Sequence, residues 1–441
     1  MNELVAHGIG GRQDLPIPLE LVIAGAAAAL VYSFVVLALA WRDSRFDGDA
    51  GGLALPPWVT SAVDSPALQW ILRVVGLLLV GYTAMVAYVA PDFATNPAAG
   101  LVYVVFWLGL IPASLLLGPV WTALNPVRTI HLLLARATGA APESAGLRSL
   151  PAWLGYWPAA AGLLAFAWLE LVAPDRATTP VIRAFFTAYL GVHLVGVVVF
   201  GSRWLDRGDA FEVFSRLLGR LSPLGRRTDG RIVVRNPLAN LDGTSAGPGL
   251  AAVVCVLLGS TAYDSLTGSP RFVRWYQASP LGATAAGTLG FLTAVALILA
   301  AYALATGLAG RATGLPRRSM PGAFAHALVP IALGYLVAHY LTLFVLEGQR
   351  TMIAVSDPFS DGSDWFGTAG YGVDQSVANH PTLIASSQVG AIVLGHVLGA
   401  ISAHDRSVRL FPRDRVVAGQ LPLMALMVAY TVTGLLLLFA A

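Results

Sequence analysis

Four histidines near the C-terminal end of the chain, His326, His339, His396 and His404, fall inside apolar stretches. An ionisable side chain there is costly, so it needs a partner or a task. His193 lies in an apolar stretch of its own, and carboxylates border such stretches at Asp264 and Glu347. Imidazole and carboxylate together can relay protons or hold a divalent transition metal, and a metal so held would polarise an ester and activate water. Neither cysteine nor methionine accompanies this set in sequence, which argues against soft Cu(I).

Depth sorts the candidates. His193 lies thirteen residues from the outer end of its stretch and His396 fourteen from the outer end of its own, so both reach one level near a bilayer centre. His339 sits roughly 10 Å nearer the outer face at 1.5 Å per residue. The catalytic candidates are therefore His339, His396, Asp264 and Glu347, and the candidate metal ligands are His193, His339 and His396. Gln388, Tyr263, His7 and Trp365 are candidates for an outer vestibule that admits substrate. The bland alternative for each histidine is one hydrogen bond to a neighbouring helix. No HExxH and no glycine-rich phosphate loop occurs, so the signal is one of position rather than motif.

The elements that must position these residues are apolar helices. With 56% hydrophobic and 12% charged residues over 441, the chain falls outside the range of soluble globular domains. Runs of about 20 apolar residues predict an all-α integral membrane protein, a bundle of about ten transmembrane helices. They are 19–41, 69–90, 98–118, 151–173, 180–201, 247–266, 285–310, 322–346, 382–404 and 419–440. Residues 1–441 thus read as one integral domain in contact with lipid, multi-pass in a plasma membrane. A homo-oligomer or partner subunit would fit, and nucleic acid would not.

All 27 basic residues are arginine, and 20 of them fall in the connectors after every odd-numbered run. The positive-inside rule then places both termini on the extracytoplasmic side. Connectors 119–150 and 202–246 carry amphipathic helices expected to lie on the cytoplasmic leaflet, the second with Phe211, Phe214, Leu217 and Leu218 on one side. Outside lie the 347–381 loop and the 265–280 segment, whose Gly and Pro predict turns rather than helix. Gly395 and Gly399 frame His396 in a GxxxG, which predicts close approach of another helix. The single cysteine, Cys255, excludes an intramolecular disulfide.

Four segments, HGIGGRQDLPIP, WTALNPVRTI, GDAFEVFSRLLGRLSPL and GAIVLGHVLGAISAHDR, together resemble actinobacterial multi-span membrane proteins labelled fenitrothion hydrolase-like. That resemblance implies hydrolysis of a phosphotriester or phosphorothioate ester, for which the His and carboxylate set above could act with a divalent metal. A proton- or metal-coupled transporter or channel using the same polar ladder is the alternative from another class, and an accessory membrane subunit the third.

Overall fold

The computed structural model describes residues 11–46, 48 and 50–439. Most of them are helical, and among the described residues nine helices are long and apolar enough to cross a membrane. The expected run at 151–173 yields only Trp157–Leu171, 15 residues or about 22 Å, against about 30 Å of hydrocarbon. Pro158 sets the start of this helix and a turn occupies the preceding residues, so apolar composition there exceeds helical length.

The chain divides into two compact units. The first comprises residues up to 47, Thr244–Leu343 and residues from 375 onward. At its centre is Leu250–Thr267, with 78% of its apolar window buried where most of the other long helices of this unit have under 40%. It packs on Ala283–Thr313, which packs in turn on Val416–Leu438, while Leu19–Ala40 lies against Pro381–Leu410. Small residues bring backbones together. A Cβ on Gly395 would meet the Pro330 carbonyl at 2.5 Å, one on Gly334 the Ala391 carbonyl at 2.5 Å, and one on Gly399 the Ala327 carbonyl at 2.7 Å. The predicted close approach around His396 is therefore present, backbone against backbone.

The 265–280 segment departs from expectation. Pro270–Ala278 is a helix, because Ser269 accepts a hydrogen bond from Phe272 N at 3.3 Å and Pro270 occupies the first turn.

The second unit comprises Gly48–Gly243 and Phe344–Asp374. Its long helices are Pro66–Tyr88, Ala98–Leu117 and Thr179–Phe200. A small antiparallel sheet, not anticipated from sequence, pairs Leu53–Ala54 and Leu224–Arg226 with the two sides of Ile232–Val234. Gly230, at φ 84°, makes the turn between its last two strands. The helices expected in both connectors form, as Pro126–Ala137 and Ala210–Gly219. Ala210–Gly219 does not lie on a surface, however. Phe211, Phe214, Leu218 and even Glu212 are at most 1% exposed, because the helix inserts among Leu110–Leu117, Val120–Leu124 and Trp157–Leu171.

Candidate functional site

Most hydroxyls in the first unit are spent on their own helix. Ser260 and Thr261 donate to Leu257 O, Thr306 to Tyr302 O and Thr431 to Met427 O, each one turn back. Ser265 breaks the pattern: its Oγ lies 2.8 Å from His339 Nε2 on another helix. The other ring nitrogen, Nδ1, is 3.8 Å from Asp264 Oδ2, the carboxylate preceding that serine. Successive residues at the end of Leu250–Thr267 thus address the two nitrogens of one imidazole. All three residues are under a tenth exposed.

This is the order of groups that activates a hydroxyl: oxygen, imidazole, carboxylate. The sequence reading contained His339 and Asp264 but omitted Ser265. Its only sequence signal is adjacency to Asp264, since one serine at a helix end looks like a cap.

The remaining candidates have other partners. Glu347 belongs to the second unit, where its carboxylate pairs with Arg350 at 2.7 Å. His193 belongs to the second unit, where Trp204 Nε1 donates to its Nδ1 at 3.0 Å and the Tyr189 ring lies tilted against it at 4.2 Å. Among the described residues no three His, Cys, Asp or Glu side chains gather to hold a metal ion. Of the expected ligand set, His339 and His396 belong to the first unit and His193 to the second.

His396 is fully buried, its Nδ1 2.9 Å from Ile392 O and its ring beside Tyr335 and Tyr430. His404 bridges Gln420 Oε1 and Trp41 O, both at 2.9 Å, and next to it Asp405 accepts from Trp41 Nε1, Ser44 and Arg45 N. That pair closes the C-terminal end of Leu19–Ala40, a structural role.

Of the vestibule candidates, Tyr263 is buried edge-on against Phe272 and Phe291. Gln388 is buried with no hydrogen-bond partner for its Oε1 among the described residues. Trp365 is half exposed in the second unit, edge-on to Tyr82, and His7 lies outside the described residues. In the 347–381 loop, Asp357 accepts from Asp361 N, Gly362 N and Ser363, and Asp364 accepts from Ala369 N. These carboxylates shape their own loop.

The second unit holds a polar cluster of another kind. Asp209 Oδ1 accepts from Phe211 N, Glu212 N and the Tyr189 hydroxyl, and Asn125 Nδ2 donates to Asp209 Oδ2 at 3.0 Å and Glu212 Oε2 at 3.1 Å. Arg128 joins Glu212 at 2.5 Å and Asp206 at 2.9 Å. Burial, reinforced by the Asp209 carboxylate, raises the Glu212 carboxyl above its ordinary range although Arg128 pulls it down. Burial would lower the Arg128 guanidinium, but the Glu212 and Asp206 carboxylates reverse that and raise it.

No protein-family model, no curated protein and no solved structure matches this chain.

Proposed function

We propose that this chain is a membrane-embedded hydrolase that cleaves an apolar ester through Ser265, with His339 as base and Asp264 as the group that orients it. One observation carries the reading: the 2.8 Å contact from Ser265 Oγ to His339 Nε2, with Asp264 on the far side of the ring. With Ser265 donating to Nε2, the ring proton sits on Nδ1 facing the carboxylate, the tautomer that general-base catalysis requires. Oγ attacks the ester centre, His339 takes its proton and passes it to the departing alkoxide. Water activated by the same imidazole then releases the enzyme ester. No clustered metal donors are needed for this route.

The resemblance to fenitrothion hydrolase-like proteins points to phosphoric or phosphorothioic triesters as the substrate class. Such substrates partition into lipid, where nine apolar helices would place the site. The arginine distribution supports a plasma-membrane location with both termini outside, and a cytoplasmic reporter active when fused after Ala441 would refute it.

The experiment is labelling of the purified protein with a fluorophosphonate ester, followed by peptide mapping. Modification of Ser265, lost in His339→Ala, is expected. Absence of label together with unchanged ester turnover in Ser265→Ala would overturn the reading.

One observation favours a second reading, a transporter. Two apolar helices have irregular backbone, a π segment at Leu101–Leu108 and a 3-10 segment at Ala325–Leu328. Breaks of this kind form cation sites in such proteins. Ion flux into vesicles carrying the protein, unaffected by Ser265→Ala, would select it over the hydrolase.

A further inference from the structure

His396 carries an observation that ester hydrolysis leaves unused. Its Nδ1 faces the Ile392 carbonyl at 2.9 Å, so the ring proton is held on Nδ1 and Nε2 presents a bare lone pair. That Nε2 is buried and has no hydrogen-bond partner among the described residues. An acceptor without a donor in an apolar interior is costly, and a carbonyl behind the opposite nitrogen is how proteins orient a metal-ligating imidazole.

The cavity it lines is about 30 Å³, room for one water-sized occupant. Its wall brings in two soft donors from other helices, Cys255 of Leu250–Thr267 and Met427 of Val416–Leu438. Cys255 is a free, buried thiol. A second cavity shares Leu423 and Met427 with the first and adds Met424 and His404, so thioethers continue along one helix face toward a second imidazole.

We propose that Cys255, His396 and Met427 form a site for a soft monovalent cation, Cu(I) being the physiological member of that class. Thiolate, thioether and imidazole are the donors that select Cu(I), and the two side-chain oxygens of this wall, the Tyr302 and Tyr430 hydroxyls, each donate to a backbone carbonyl, Pro321 O and Leu258 O, at 2.8 Å. Binding releases the thiol proton, and thiolate with a singly charged metal is neutral overall, as an apolar cavity requires. The sequence argued against Cu(I) because no Cys or Met lies near the histidines along the chain; folding places both around His396. This site shares no residue with Ser265, His339 or Asp264 and does not rest on the hydrolase reading.

The test is anaerobic titration of the full-length protein in detergent with the Cu(I) complex of bathocuproine disulfonate, followed by X-ray absorption of the bound copper. One Cu(I) per chain with sulfur and nitrogen neighbours is expected. Cys255→Ser is expected to abolish competition with the chelator, and Met427→Leu, which conserves volume, to weaken binding about tenfold. If Cys255→Ser does not fold, Met427→Leu and the absorption spectrum decide. Failure of the natural chain to compete would overturn the site. So would undiminished binding in either variant, or copper surrounded by oxygen and nitrogen alone.

Discussion

In the unit built around residues 48–243, every carboxylate oxygen of Asp209 and Glu212 has a donor: backbone amides, Tyr189, Asn125, Thr122 or Arg128. In the other unit, His339 contacts Ser265 at 2.8 Å and Asp264 at 3.8 Å, and His396 Nε2 has no hydrogen-bond partner among the described residues. The difference separates two uses of buried polarity. A saturated network holds elements together and has nothing left to give a ligand, whereas the Ser265–His339 contact is proposed to act on substrate and the open nitrogen of His396 keeps capacity for an ion.

The sharpest way to break this comparison is Ser265→Ala. Ester turnover is expected to fall about 10³-fold or more, while thermal stability moves by less than about 1 kcal/mol, since one hydrogen bond is lost. A large loss of stability would place Ser265 with the structural network instead. The reverse pattern is expected of Glu212→Ala, which leaves Arg128 without its buried partner. It should cost about 3–5 kcal/mol in denaturant unfolding and leave turnover per folded molecule unchanged. Asn125→Ala should cost about 1–3 kcal/mol, because one amide serves both carboxylates.

The smallest effect is a pH dependence. Folded Glu212 titrates above its ordinary 4.5, so at pH values just above 4.5 the folded chain keeps a proton that the unfolded chain has released. Stability therefore falls as pH rises through this window, and this contribution is flat below it where both states are protonated. Melting temperatures in a pH series should show that decline, and Glu212→Gln should flatten it. An unchanged slope in the variant would assign it to another group.

The helices were legible because apolar runs of this length have few alternatives, and the Gly395–Gly399 approach was legible because small residues at helical spacing need a facing backbone. The burial of Ala210–Gly219 was not. Its Phe and Leu face suits a lipid surface and a protein interior equally, and only the partners of Glu212, supplied by Asn125 and Arg128 some 85 residues earlier, decide between them. Two of the candidate trio, His339 and Asp264, were visible. Ser265 was hidden because a hydroxyl's role depends on which helix it reaches, and sequence gives no such distance. Cys255 and Met427 escaped for the same reason, lying far from His396 along the chain.

Seen as a constraint on sequence drift, the glycine contact beside His396 predicts inheritance as a block. Gly334, Gly395 and Gly399 each face a carbonyl so closely that no side chain enters without separating the helices. Relatives that keep a histidine at 396 should therefore keep all three glycines, and lineages that lose one should lose the imidazole soon after.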